Sequence, residues 1–119
     1  MIHFVLNPNA GTNSPKKRAR ILSILQSIPN AKVWQTERVN HAKELTQKAI
    51  SEKATKIIAI GGDGTINEVA SNLLYTNIPL GIIPMGSGNG LARHLDIPLH
   101  FEKALDRALN GANVLIDSG

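Results

Sequence analysis

Five residues, Gly61-Gly62-Asp63-Gly64-Thr65, combine three glycines with one acid. They follow an apolar run, Ile57 to Ile60, and precede an amphipathic run that begins at Ile66. A strand is therefore expected to hand over to a helix here. Without side chains in the way, the backbone amides of such a loop can approach a phosphate closely. The aspartate is the unusual member, because a carboxylate repels a phosphate unless a cation or a shared proton lies between them. The combination predicts a nucleotide site with Mg2+ nearby, and hence phosphoryl transfer. Asp63 has two readings. It is either a turn or N-cap aspartate for the next helix, or it organises Mg2+ and water around a triphosphate. Thr65-Ile66-Asn67-Glu68 also fits the capping-box pattern, with Thr at the cap and Glu three residues later. The Thr65 amide could serve a phosphate while the side chain caps. Asn67 falls one turn into the helix, facing either a ligand or solvent.

Two more loops of this kind follow apolar strands. Asn7-Pro8-Asn9-Ala10-Gly11 comes after Ile2 to Leu6, and Pro84-Met85-Gly86-Ser87-Gly88-Asn89-Gly90 comes after Leu80 to Ile83. Asn7 precedes a proline, which pushes its backbone towards extended conformations. Its side chain could bridge loops or bond a base or ribose. Ser87 is either a turn serine or a hydroxyl that donates to phosphate. Each glycine-rich loop alone could be a tight turn. In an open α/β sheet, however, ligands bind outside the carboxyl ends of the strands. Three such loops at one sheet edge predict a shared nucleotide site. There is no GxxxxGK[ST] loop, and no GxGxxG follows the first strand, so the P-loop and dinucleotide fingerprints are absent.

The elements that must position these loops alternate. Strands are expected at Ile2 to Leu6, Ala31 to Gln35, Lys56 to Ile60, Leu80 to Ile83 and Ala112 to Ile116. Ser14-Pro15 starts a helix as N-cap and first helical residue, with Ile21, Leu22, Ile24, Leu25 and Ile28 at helical spacing. Asn40 caps a second helix that turns Ala42, Leu45, Ala49 and Ile50 inward. Ile66, Val69, Ala70, Leu73 and Leu74 form the stripe of a third. A short helix is expected over Asn89 to His94. A last helix spans Leu99 to Leu109 and is closed by Gly111. Continuous apolar strands separated by helices predict a parallel sheet covered on both faces, an α/β fold in three Rossmann-like layers.

A chain of 119 residues suits one domain with a real core. It has no cysteine, which excludes disulfides, thiolate chemistry and cysteine zinc sites. No apolar run is long enough to span a bilayer, and Met1 to Leu6 reads as a strand rather than a signal peptide. A net charge of +4 favours anionic partners. Aromatic residues make up only 3%, which argues against a platform for stacking single-stranded nucleic acid. Lys16, Lys17, Arg18 and Arg20 oppose the dipole of the first helix. They form either a solvated face or a contact for nucleotide phosphate or an anionic membrane. His3, His41, His94 and His100 lack metal-ligand spacing, and His94 reads as a partner for a helix C-terminus. The chain stops after its last strand at Asp117-Ser118-Gly119, where a cut between domains is expected.

These motifs resemble those of the diacylglycerol kinase and sphingosine kinase superfamily, and the chain resembles their N-terminal catalytic domain over its whole length. The residues that carry the resemblance are Asn7 to Gly11, Gly61 to Asn67 (GGDGTIN) and Pro79 to Arg93 (PLGIIPMGSGNGLAR). NAD kinases share the GGDGT element, but Gly81 to Asn89 points to the lipid branch. The resemblance implies ATP-dependent phosphorylation of a lipid hydroxyl, on diacylglycerol or a related lipid. By position it implies that Asn7, Pro8, Asn9, Ala10, Gly11, Thr36, Gly61, Gly62, Asp63, Gly64, Thr65, Ile66, Asn67 and Ser87 contact ATP. Asp63, the catalytic candidate, and Asp117 would hold Mg2+ indirectly through water. Many bacterial relatives carry Asp where Gly90 stands, and a small residue there resembles the sphingosine kinase-like pattern. Family members also have a C-terminal β-sandwich domain that supplies lipid pocket and general base. Residues 1–119 are thus expected to form a single nucleotide-binding domain without it, inactive alone. A cytoplasmic location, peripheral contact at the inner membrane face, no nucleic-acid partner and a homodimer through an uncovered apolar edge complete the expectations. An NAD kinase-like small-molecule kinase and a non-catalytic nucleotide-binding module are the alternatives.

Overall fold

The computed structural model describes residues 1–7, 15–38, 40–74, 76–85 and 101–110. Within them lie four strands and four helices: β1 (Ile2–Leu6), α1 (Pro15–Gln26), β2 (Ala31–Gln35), α2 (His41–Ser51), β3 (Lys56–Gly61), α3 (Asp63–Asn72), β4 (Leu80–Pro84) and α4 (Phe101–Asn110). All strands pair in parallel, in the order β2-β1-β3-β4. The expected helix at Asn89 to His94 and strand at Ala112 to Ile116 lie outside the described residues, as do Ser14 and Gly111.

Successive residues of a strand face opposite sides, so each continuous apolar strand feeds two cores. Phe4, Leu6, Ile58, Ile60 and Ile83 meet Ile21 and Leu25 of α1 and Leu105 and Ala108 of α4. On the other face Val5, Ile57, Ala59 and Leu80 meet Ala42, Leu45 and Ala49 of α2 and Ile66, Val69 and Leu73 of α3. The result is the expected three-layer α/β fold. Burial of each large side chain here contributes about 1.5–3 kcal/mol. The α3 stripe is one residue shorter than its sequence suggests. The helix ends at Asn72, and Leu74 beyond it is 38% exposed.

Gly81 lets α4 approach the sheet. A Cβ there would stand 3.0 Å from Ile58 Cγ1 and 3.3 Å from Ala108 Cβ. The Lys56 ammonium, buried at the start of β3, donates to the Ala108 carbonyl in the last turn of α4. Burial pushes this amine below its ordinary pKa. A cation at a helix C-terminus suits both the dipole and the last carbonyls, which have no partner inside the helix.

Candidate nucleotide-binding edge

At their carboxyl ends the four strands form one continuous row. Thr36 N–H donates to Leu6 O at 2.8 Å, Asn7 N–H to Ile60 O at 2.9 Å, and Met85 N–H to Gly61 O at 2.8 Å. Thr36, Asn7 and Gly61, which are far apart in sequence, therefore stand on adjacent strands at one edge. From β1 the chain leaves towards β2, with α1 on one face. From β3 it leaves towards β4, with α3 on the opposite face. The two connections run apart, which places a topological switch point between the ends of β1 and β3, where open α/β sheets bind ligands in a crevice.

α3 starts on this crevice, and it starts earlier than the capping-box reading expects. Gly62 is the N-cap, at φ −82° and ψ −173°, and Asp63 is the first helical residue. Neither Asp63 nor Thr65 is the cap residue, and Gly62, which has no side chain, makes no side-chain cap hydrogen bond. Thr65 sits two residues into the helix and is buried at 8% exposure. The cause is local. Gly61 has no Cβ, and the place a Cβ would take is 2.9 Å from Thr65 Cβ. Thr65 thus packs down on the strand end instead of reaching back to cap.

The first helical hydrogen bond runs from Ile66 N–H to Gly62 O at 3.1 Å. The amides of Asp63, Gly64 and Thr65 come before it, where a helix has donors and no intrahelical acceptors. Among the described residues, a Cβ added at Gly62 or Gly64 would meet nothing within 4 Å. These two glycines are therefore not required by internal packing, unlike Gly61. What they leave open is space above three amides at the positive end of a helix, a setting that favours an anion.

Asp63 and Asn67 are exposed, one turn apart on α3. Asn67 lines an open groove of about 420 Å³ with Lys43, Glu68, Ser71 and Asn72, between α2 and α3. Ile66 does not join the edge. Its side chain is 2% exposed in the core, and its amide is engaged in the helix. Among the described residues no group of three His, Asp or Glu side chains could hold a metal ion. Pro8, Asn9, Ala10, Gly11, Ser87, Gly90 and Asp117 lie outside the described residues.

The rim beside Thr36 is built by the β2–α2 turn. Asn40 is the N-cap of α2, as expected, but at φ 66° and without a side-chain cap bond. The bond at this turn is a different one, from Glu37 N–H to His41 Nδ1 at 2.8 Å. Arg38 pairs with Glu44 at 2.7 Å on the outside of the turn, and its guanidinium holds the Glu44 carboxyl below the ordinary carboxylate range. The sequence offered no role for His41 beyond its lack of metal-ligand spacing. The signal left unread was a histidine at the first position of a helix, five residues after Thr36.

The whole chain, residues 1–119, matches the family model described as the diacylglycerol kinase catalytic domain. The chain belongs to the diacylglycerol kinase catalytic domain family. It is 32% identical to a diacylglycerol kinase of Staphylococcus aureus over 120 residues, which is 98% of this chain and 38% of that protein. It is 35% identical to a probable YegS-like lipid kinase of Yersinia pestis, over 96% of this chain and 40% of that protein. Among solved structures it is similar to a diacylglycerol kinase from Bacillus anthracis str. Sterne. The TM-score there is 0.73 at 28% identity, covering 87% of this chain and 37% of that one. The chain spans well under half the length of these relatives. The edge just described is thus the carboxyl edge of a diacylglycerol kinase catalytic domain.

Proposed function

We propose that this domain holds ATP for a lipid kinase and works with further sequence of a longer protein. Together they transfer the γ-phosphate of ATP to a hydroxyl of diacylglycerol or a related lipid. The observation that carries the reading is the glycine-capped start of α3. Three amides precede the first helical hydrogen bond at the β1/β3 switch point, beside two glycines where a Cβ would meet no described atom within 4 Å. In this reading the phosphates lie on the amides of Asp63, Gly64 and Thr65, while Asn7 and Thr36 line the adjoining strand ends. Pro8 to Gly11 and Ser87 would complete the cradle.

The residues present fit Mg2+ as an ion shared with phosphate and water. They do not form a protein cage. Asp63 is a single exposed carboxylate beside the amides, and Mg2+ is usually held by one or two carboxylates plus substrate phosphates. When bound, Mg2+ neutralises charge on the phosphoryl oxygens. Asp63 holds its carboxylate where that neutralisation is needed, acting through water, with Asp117 as the expected second acid. The acceptor hydroxyl and the base that takes its proton are expected outside this chain, because phosphoryl transfer needs a positioned acceptor as well as a held donor. The domain alone is therefore expected to bind ATP without phosphorylating lipid. Function at the cytoplasmic face of a membrane, as a peripheral protein or a homodimer, belongs to the same proposal. No helix among the described residues is long and apolar enough to cross a membrane.

Calorimetric titration of the chain with ATP, with and without Mg2+, tests the reading. A dissociation constant of about 0.1–1 mM that tightens with Mg2+ is expected. Binding indifferent to Mg2+ supports a non-catalytic nucleotide module instead, and absence of binding removes both. Lipid and NAD acceptors offered to the longer protein then decide the reaction.

A further inference from the structure

The β2–α2 turn is held by a buried side chain that the nucleotide reading does not use. Thr36 closes the ladder through Leu6 O, but the next amide, Glu37 N–H, turns away and donates to His41 Nδ1 at 2.8 Å. The His41 N–H returns to Arg38 O at 3.2 Å. His41 is 8% exposed although it opens a helix. The Arg38–Glu44 pair on the outside of the turn is more than half exposed and orders little. His41 is therefore the inner support of the segment that carries Thr36.

We propose that His41 is a positioning residue for the nucleotide. By accepting from Glu37 N–H, it fixes Thr36 at the rim of the crevice. This inference rests on the ATP site proposed above. β2 lies two strands from β3, about 10 Å at ordinary strand spacing. A nucleotide with its phosphates on the first turn of α3 therefore presents its nucleoside part to Thr36. His41 does not touch the nucleotide; it acts through Thr36. Loss of its acceptor weakens the grip on the nucleoside and leaves the grip on the phosphates.

Two substitutions separate positioning from packing. His41→Asn keeps an acceptor, Oδ1, where the imidazole places Nδ1, but loses volume. His41→Leu keeps most of the volume and leaves Glu37 N–H without an acceptor, and His41→Phe serves as the acceptor-free variant should H41L not fold. Dissociation constants for MgATP and for magnesium tripolyphosphate are read on the natural protein and on each variant, together with hydrogen exchange at the Glu37 amide. H41L is expected to weaken MgATP about tenfold, leave tripolyphosphate within about twofold and speed exchange at Glu37. H41N is expected to stay near the natural protein in all three. Equal losses in H41N and H41L, or a larger loss in H41N, assign His41 to packing and overturn the proposal. So does a parallel loss of ATP and tripolyphosphate, or faster Glu37 exchange with ATP affinity unchanged. If the natural protein binds no ATP at all, the nucleotide reading itself has failed, and the inference with it. That result is visible before any variant is made.

Discussion

The two ends of the sheet handle their polar groups in opposite ways. Towards the amino end several described polar groups are turned to partners within the protein. Trp34, from the carboxyl half of β2, reaches back to this end, where its Nε1–H donates to His3 Nδ1 at 2.9 Å and the two rings stack. The Lys32 ammonium lies 4.3 Å from the centre of the Trp34 ring and pairs with Glu52 at 2.9 Å. The Lys56 ammonium reaches the Ala108 carbonyl, and Thr55 N–H reaches Met1 O. At the carboxyl end the row of strand ends is equally well tied, yet α3 begins at a glycine cap and has two glycines whose side-chain space no described residue fills. A buried or half-buried polar group costs stability unless it is satisfied. An edge that satisfies its groups internally is built to hold the fold. An edge that presents donors outward is built to take a ligand.

The contrast predicts that substitutions at the amino end move stability and leave ATP binding alone, and that those at the carboxyl end do the reverse. The largest expected effect is on the fold. Gly81→Val places side-chain atoms against Ile58 and Ala108, forces α4 off the sheet and should lower unfolding stability by about 1–3 kcal/mol. ATP affinity of the folded fraction should stay unchanged; a matching loss of affinity would erase the distinction between the two ends. Next comes Asp63→Asn at the open end of α3. MgATP affinity should fall about tenfold, ~1.4 kcal/mol, and the gain from Mg2+ should disappear. Stability in urea should move by less than about 1 kcal/mol, the dipole contribution of an acid in the first turn.

Gly64→Ala sharpens the comparison because its two effects have opposite signs. A Cβ there meets nothing within 4 Å among the described residues, so the alanine should stabilise the helix by about 0.5–1 kcal/mol. The same methyl intrudes on the phosphate position, and ATP binding should weaken. A thermal melt and a titration on one sample check both. A stabilised protein with intact ATP affinity would mean that the phosphates lie elsewhere.

The smallest effect is a pH dependence at the amino end. Burial pushes the His3 imidazole below its ordinary pKa, outweighing the Glu52 carboxylate that raises it, while Lys32 and the N-terminal amine lower it further. The folded state therefore prefers neutral His3, which accepts from Trp34. Its stabilising contribution is complete above the unfolded value of about 6.5. It is lost as pH falls through the lower folded value. Urea melts at decreasing pH, followed by fluorescence of the single tryptophan, should show an acid loss that His3→Asn reduces. An identical profile in that variant would assign the acid loss to other groups.

The fold was legible because its signals are local. β1 and β2 run over the residues their apolar runs indicate, and β3 and β4 each extend one residue further. The meeting of Asn7 and Gly61 followed from a rule about parallel sheets, whereas Thr36 was placed with them only by the family resemblance. What stayed hidden depends on contacts between distant residues or on competing local patterns. Thr65-x-x-Glu68 has the sequence of a capping box, but the missing Cβ of Gly61 draws Thr65 down onto the strand and moves the helix start back to Asp63. The His3–Trp34 bond joins strands whose register cannot be read from either alone. Lys56 looked like a strand end, and only the placement of α4 reveals it as that helix's terminal donor.

The central claim is that the amides at the start of α3 hold the phosphates of ATP. A titration of the isotopically labelled chain with MgATP, followed by amide chemical shifts, tests it most directly. The account predicts large shifts at Asp63, Gly64 and Thr65, smaller ones at Asn7 and Thr36, and none at His3, Lys32 or Lys56. Saturating MgATP that leaves Asp63 to Thr65 unmoved, or that shifts the amino end instead, would contradict it.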